Sequence, residues 1–201
     1  MAIEIECIIE NEFDKSKIIE LPFLIDNKWK DLRRFIEQES KDFYNPLKNK
    51  DLQKEAKWDF KIDEDDLENC WSFFETGNSD ILQPKNDIRF ICYFGMVHVY
   101  RKTIVINPFC RRFKAFKDNE NAKKGFIKIV REIARLFGAT KVLYCADSTT
   151  KTEILSNMAL EGNSLQKLIE HGELRFGKPN PNYLLAFEET YFIDEYNFEI
   201  K

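Results

Sequence analysis

The sequence has few of the residues on which the common phosphate-binding and hydrolytic sites depend. Its seven glycines are isolated, and none forms a G-x-G-x-x-G or a complete G-x-x-x-x-G-K-[ST] pattern. These patterns bring backbone amides close to a phosphate, which a side chain would prevent. A G-x-S-x-G nucleophile elbow is missing as well. We therefore expect no cofactor and assign no catalytic residue.

Histidine is scarce, and the cysteines are scattered. The two histidines, His98 and His171, lie in different predicted elements, so no metal site is expected. The five cysteines form no C-x-x-C pair, and their odd number fits free buried thiols in a reducing compartment. A nucleophilic pair would need Cys92, Cys110 or Cys145 to meet a histidine in space. We favour the alternative that these cysteines are small buried hydrophobes.

Long apolar runs and a secretory leader are also missing. No run approaches the roughly 20 residues that a membrane-spanning helix needs. The start, Met-Ala-Ile-Glu-Ile-Glu, has neither a basic nor an apolar region of a signal peptide. We therefore expect a soluble, cytoplasmic protein without a membrane partner. The hydrophobic content of 43% and the 18 phenylalanines predict an aromatic core that needs no disulfides.

The best-marked stretch of the chain is a helix followed by a strand. Apolar residues recur in steps of three and four, which predicts a central amphipathic helix over about 118–137. Asp118 is the expected N-cap, and Gly138 is the expected left-handed residue after the helix. The apolar run at 141–146 predicts a buried strand, and the polar segment 147–150 offers caps for a following helix.

The remaining patterns predict an α+β fold. Alternation and β-branched residues predict a mixed or mainly antiparallel sheet with helices packed on it. We expect one domain over 1–201, with an N-terminal helical elaboration at 26–75. The predicted strands are 2–9, 17–24, 88–107 with a turn at 101–102, 183–187 and 191–200, and the other predicted helices are 26–43, 65–74, 152–160 and 164–171.

Charge is divided unevenly along the chain. Between Arg101 and Arg135 there are eleven Lys and Arg against three acids, a net +8, so the other residues carry −12 to give −4. One interpretation is the solvated face of a helix, and the other is a platform for a polyanion or an acidic partner. A nucleic-acid site would use the basic segment Arg111, Arg112, Lys114, Lys117, Lys123 and Lys124.

A dense group of acids precedes several aromatic residues. It can place acids at a helix N-terminus, where the macrodipole favours them. It can also form a negative surface for a basic protein, with an aromatic side chain as its core. We call these acids, taken together with the aromatic residue Trp71 that follows them, the acidic cluster: Asp63, Glu64, Asp65, Asp66, Glu68 and Trp71.

These patterns leave three hypotheses. The leading one is a non-enzymatic intracellular protein-binding module, of the inhibitor, antitoxin or immunity type, whose partner is another protein with a basic surface. The first alternative is a nucleic-acid-binding domain that uses the basic segment. The second is an enzyme with Asp147 at its site, because carboxylates at strand ends often bind ligands in α/β proteins. Helix capping is the competing interpretation of Asp147.

Overall fold

The structure forms one six-stranded sheet with helices on it. This computed structural model describes residues 5–13, 88–91, 95–100, 102–108, 119–146, 151–180 and 190–197. It also describes the shorter pieces 17, 20, 31–32, 34–36 and 38–39. The strands are β1 (Ile5–Glu10), β2 (Ile88–Ile91), β3 (Gly95–Val99), β4 (Thr103–Pro108), β5 (Lys141–Ala146) and β6 (Phe192–Glu195). The helices that the described residues define from end to end are α1 (Glu120–Leu136), α2 (Glu153–Leu160) and α3 (Leu165–Phe176).

Strand β1 lies inside the sheet, although it comes first in the chain. The strand order is β2-β3-β4-β1-β5-β6, and every neighbouring pair is antiparallel. Cys7 lies opposite Ile106 of β4 on one side and Tyr144 of β5 on the other. Because β4 and β5 both run against β1, they are parallel to each other, and α1 connects them. The predicted α+β class with a mainly antiparallel sheet is confirmed.

Both faces of the sheet are covered, so the core has two halves. Ile5, Cys7 and Ile9 of β1 pack in the half that contains α1, together with Leu32 and Ile36 of the helical residues near 31–39. The alternate side chain Ile8 belongs to the half that contains α2 and α3. The alternation of side chains along a strand sends successive residues to opposite faces. Strand β1 is therefore buried between two helical layers.

Helix α1 has well-defined ends. Its N-cap is Asn119, whose side-chain oxygen accepts from the Ala122 amide at 3.0 Å, so the prediction of Asp118 as the cap is wrong by one residue. Gly138 has φ of +74°, as predicted for a left-handed residue. The amides of Gly138 and Ala139 donate to the carbonyls of Arg135 and Ala134. This pair of bonds is the Schellman motif, which satisfies carbonyls at the end of the helix.

Several element predictions change in the structure. The strand predicted at 17–24 is wrong at residues 17 and 20, which are helical, and its other residues lie outside the described part of the chain. Where a turn was predicted at 101–102, the Tyr100 amide donates to the Thr103 carbonyl at 2.8 Å between the paired strands β3 and β4, and residue 101 lies outside the described residues. The helix predicted at 164–171 continues to Phe176. It passes through Gly172, where the bare backbone lies against the ring of Tyr191.

Some predictions fall outside the described residues. They are the helix at 65–74, the strand at 183–187 and the capping segment at 147–150. The strand predicted at 191–200 is shorter, covering Phe192–Glu195, while Tyr196 and Asn197 have no strand assignment. Within the described ranges, no helix is both long enough and apolar enough to cross a membrane. The single domain remains a prediction.

Candidate functional site

A cavity opens at the end of the sheet where β1 stops and β5 starts. Its volume is about 210 Å³. Three segments line it: Glu10 at the end of β1 with Glu12 just after it, residues 137–141 from the end of α1 to the start of β5, and the first turns of α3. We call this cavity the acidic pocket. It brings together parts of the chain that are far apart in sequence.

Asn11 fixes the backbone that carries the two glutamates. Its amide donates to the Lys102 carbonyl at 2.9 Å, and its side-chain amide donates to the Tyr100 carbonyl at 2.8 Å. Its side-chain oxygen accepts from the Phe13 amide at 3.0 Å. This last contact is a local turn in which the side chain replaces a backbone partner. Glu12, between these anchored neighbours, is therefore held at the pocket while its side chain is exposed.

The segment between α1 and β5 forms a second fixed wall. The rings of Phe13 and Phe137 lie 5.7 Å apart, and Phe137 is buried. The Tyr196 hydroxyl donates to the Ala139 carbonyl at 2.9 Å, and the Tyr196 amide donates to the Thr140 carbonyl at 3.0 Å. Burial, with the nearby negative charge of Asp194, raises the pKa of Tyr196, so its hydroxyl keeps its proton and remains a donor.

Tyr196 is itself held by a partly buried ion pair. Arg131 of α1 donates to both carboxylate oxygens of Asp194 in β6, at 2.7 and 2.6 Å. The Arg131 guanidinium also lies 5.1 Å from the centroid of the Tyr196 ring. A bidentate pair and a cation–π contact both favour one orientation of the guanidinium. The α1–β6 contact thereby supports the wall of the pocket.

Glu10 closes the pocket at the start of α3. The N-cap of α3 is Ser164, and the Leu165 amide donates to a Glu10 carboxylate oxygen at 2.7 Å. The first amides of a helix have no partner within the helix, and its N-terminus attracts negative charge. Glu10 thus satisfies one of these amides from a position 155 residues earlier in the chain.

The electrostatic balance of the acidic pocket is negative. Burial raises the pKa of Glu10 above its ordinary value of 4.5, and the charge of Glu12 adds to this. The Leu165 amide and the Lys102 charge act in the opposite direction, but the net shift is upward. Lys141 also lines the pocket, and its ammonium pairs with Glu195 at 2.6 Å. The site can therefore receive a cation better than an anion.

The sequence-predicted sites lie mostly outside the described residues. This holds for the acidic cluster (Asp63, Glu64, Asp65, Asp66, Glu68, Trp71), for Asp147, and for Arg111, Arg112, Lys114 and Lys117 of the basic segment. Strand β5 ends at Ala146, one residue before Asp147. The N-cap of α2 is Thr152, so the 147–150 segment does not occupy the capping position expected of it.

The two described lysines of the basic segment differ in their environments. Lys124 is exposed on α1, whereas the Lys123 side chain is 6% exposed and its ammonium lies 3.3 Å from Glu120. Farther along α1, cations again lie next to acids of the same chain. These pairs are Lys128 with Glu39 at 2.9 Å, Arg131 with Asp194 at 2.6 Å, and Arg135 with Glu132 at 2.8 Å.

The described cysteines and histidines do not assemble a metal centre. Cys7 and Cys145 are buried and form no disulfide, and burial, together with the charge of Glu6, raises the pKa of the Cys7 thiol. A thiol in this state is a poor nucleophile. His98 is half-buried and stacks on Tyr100, with ring centroids 6.1 Å apart. Within the described ranges, no group of three or more His, Cys, Asp or Glu is placed to hold a metal ion.

The sequence at the end of α3 matches part of the phosphate-loop pattern. Residues 172–178, Gly-Glu-Leu-Arg-Phe-Gly-Lys, fit the first seven positions of G-x-x-x-x-G-K-[ST], but Pro179 replaces the hydroxyl residue. Five of the seven residues, 172–176, belong to α3. A phosphate loop instead precedes its helix, so that backbone amides surround the ligand. The match has no structural meaning here.

The acidic pocket was not predicted from the sequence. Glu10 and Glu12 stand at the end of a strand and in the loop after it, where acids are common. No local signal shows that they meet the start of a helix near residue 165. Comparisons with models of known protein families, with curated proteins and with solved structures found no match for this chain. The geometry and charge of the described residues are therefore the basis for a functional proposal.

Proposed function

We propose that this chain is a non-enzymatic protein-binding module of the cytoplasm, of the inhibitor, antitoxin or immunity type, whose partner is a protein with a basic surface. One observation carries the proposal: four cations of α1, Lys123, Lys128, Arg131 and Arg135, are paired with acids of the same chain. The basic part of the sequence is thus partly neutralised internally. The net charge of −4 leaves an excess of acids for other surfaces.

The Arg131 pair gives this observation most of its weight. Exposed ion pairs contribute little and exchange readily with other partners. The Arg131 pair differs from an exposed ion pair, because Arg131 makes two hydrogen bonds to Asp194, whose side chain is 6% exposed. Moving this guanidinium to a phosphate would leave a buried carboxylate without its cation, which is unfavourable. The centre of α1 is therefore a poor platform for a polyanion.

Charge complementarity is the expected basis of partner recognition. Acids on one protein speed its encounter with a basic surface and set the register of the complex. The acidic cluster, with Trp71 at its end, is the proposed centre of that surface, since buried aromatic residues often dominate binding energy. The buried thiols of Cys7 and Cys145, which form no disulfide, support a reducing compartment such as the cytoplasm.

The test is capture of the partner from lysate of the source cells. The tagged chain is used with and without nuclease, and bound proteins are identified by mass spectrometry. We expect a stoichiometric protein that survives nuclease and whose capture is lost when Asp63, Asp65 and Asp66 are changed to Lys. The matched control changes three exposed acids elsewhere, Asp31, Glu161 and Glu173, to Lys. The control should retain the partner.

The same experiment distinguishes the other hypotheses. Nucleic acid that co-purifies, with affinity that falls steeply as salt rises, would favour the basic segment, because phosphate contacts release counterions. That result would contradict the protein-binding proposal. Partner capture unaffected by reversal of the acidic cluster would show that the surface lies elsewhere. The enzyme hypothesis needs an activity that is lost in Asp147→Asn.

A further inference from the structure

The acidic pocket has the size of a site for one side chain. Pockets that take drug-sized ligands have volumes of roughly 300–1,000 Å³. At about 210 Å³ this cavity is smaller. We propose that the acidic pocket binds a single Lys or Arg side chain of the protein partner, an inference that rests on the proposed function and names the chemistry that one part of the interface recognises.

The charges around the cavity favour a cationic group. Glu10 and Glu12 contribute two carboxylates. The positive charge of Lys141 is matched by Glu195, which lies 2.6 Å from its ammonium. Glu10 is half-buried and has lost part of its hydration, so a bound ammonium or guanidinium would replace solvent that the fold has removed. An anion would meet two like charges instead.

The rest of the lining suits the aliphatic stem of such a side chain. Phe137, Leu165 and Ile169 are buried residues that border the cavity. Lys and Arg place their methylene groups along apolar surfaces and keep the charged head in a polar environment. An apolar wall beside two carboxylates matches both halves of these side chains. A hydrated metal ion would make no favourable contact with the apolar wall.

The pocket is also organised before any ligand arrives. Asn11 anchors the segment with the glutamates, Tyr196 anchors the segment at 139–140, and Leu165 is bonded to Glu10. Binding to an ordered site avoids the loss of conformational entropy that ordering a loop would require. This arrangement favours insertion of a side chain into a formed cavity.

The direct test uses lysine and arginine without a partner. Acetyl-lysine methylamide and acetyl-arginine methylamide, each acetylated only at the α-amino group, are titrated into the full ¹⁵N-labelled chain and followed by NMR. We expect saturable shifts of the amides of Gly138, Leu165 and Gln166. The neutral probe acetyl-norleucine methylamide has a similar stem without the charge. It should cause no saturable shift at these positions.

Two conservative variants test the roles of the carboxylates. Glu10→Gln keeps an oxygen that can accept from the Leu165 amide, and Glu12→Gln changes an exposed side chain, so both chains should fold. The combined variant should bind the lysine probe at least about tenfold more weakly. The matched control, Glu161→Gln, removes one exposed charge away from the pocket and should leave binding unchanged.

The outcomes separate this inference from the proposed function. Equal shifts with the norleucine probe, or no saturable shift with either cation, would overturn the inference even if a partner is captured from lysate. If the probes bind but the partner is captured equally well by the combined variant, the ligand is a free small amine and the inference is also overturned. Weaker capture by that variant, together with probe binding, supports the inference.

Discussion

Glu10 shows how one side chain can serve two purposes that oppose each other. Its carboxylate satisfies the Leu165 amide at the positive end of α3. The same position removes the carboxylate from water and sets it near Glu12, and the net result is a raised pKa. The folded chain therefore holds this carboxylate in its charged form less readily than water does.

The raised pKa predicts a pH dependence of stability. Where the folded pKa of an acid lies above the unfolded value, the folded state binds more protons, and the associated stability is present below the unfolded pKa and lost as pH rises through the folded pKa. Glu10→Gln has no ionisable group at this position, so it removes this loss of stability with rising pH. The free energy of unfolding of the variant, relative to that of the wild type, should therefore increase as pH rises above 4.5, the ordinary pKa of this carboxyl group.

The measurement is urea denaturation of both chains at several pH values. Glu161→Gln provides the control, since it removes one charge from an exposed residue and tests for a general effect of net charge. A difference between Glu10→Gln and the wild type that is constant with pH, or that reverses sign, would contradict the role assigned to burial at Glu10.

Local chemistry made some residues predictable and left others hidden. Gly138 was predicted because a left-handed residue after a helix favours glycine, and its φ of +74° agrees. Asp118 and Asn119 are both good capping residues, so sequence does not decide between them, and Asn119 is the observed cap. Glu10 had no local signal because its partner is 155 residues away.

At the scale of elements, α3 depends on a close contact with Tyr191. Gly172 lies in the middle of α3, and a Cβ added there would lie 2.9 Å from the Cζ atom of Tyr191. The Tyr191 ring is fully buried, and its hydroxyl donates to the Gly177 carbonyl at 3.1 Å. Burial raises the pKa of Tyr191 to about 12, so the hydroxyl keeps its proton. The ring therefore has little room to move away.

Gly172→Ala should destabilise the protein, although alanine is the better helix former. In an open helix the change would stabilise by up to about 1 kcal/mol. Overpacking against a fixed ring costs about 1–3 kcal/mol. We expect a net loss of about 1–2 kcal/mol in the free energy of unfolding, measured by denaturant titration.

Two further variants make this prediction specific. Lys167→Ala adds alanine at an exposed position of the same helix and should change stability by less than about 0.5 kcal/mol. In a Tyr191→Leu background, the smaller side chain should reduce the additional effect of Gly172→Ala, because residues in contact are not additive. A Gly172→Ala variant more stable than the wild type would contradict this prediction, because it would show that the Tyr191 ring moves away from the added methyl group.

Long patterns were predicted correctly, whereas short apolar runs gave mixed results. Helix α1 has several turns of apolar periodicity, and it was predicted within two residues at each end. Strand β5 was predicted as observed, since it is a short buried apolar run beside a glycine. The segment 17–24 is apolar but short, and such a run does not distinguish a strand from a helix. Residues 17 and 20 are helical.

At the scale of the whole molecule, strand order is the property that sequence patterns did not reveal. The antiparallel character was predicted, but not that β1 pairs with both β4 and β5. The burial of β1 agrees with this central position, because residues 5–9 are all buried, Glu6 included. A strand covered on both faces need not alternate between apolar and polar residues.

The topology predicts a gradient of local stability across the sheet. Strand β1 lies between two strands and two helical layers, whereas β6 is the last of the described strands and pairs with β5 alone among them. Opening β6 would disturb fewer buried contacts than opening β1. Segments of this kind open at a lower free energy than the global unfolding transition.

Native-state hydrogen exchange measures that gradient. The most protected amides of β1, from Ile5 to Glu10, should exchange with a free energy close to that of global unfolding, obtained separately from denaturant titration. The most protected amides of β6 should exchange at a lower free energy. Substituting Arg131 by Met would weaken the contact between α1 and β6 and should lower protection in β6 more than in β1. Equal protection in both strands would contradict the predicted gradient, because the sheet would then open only as a whole. In that case the contact of Arg131 with Asp194 would stabilise β6 as much as two neighbouring strands stabilise β1.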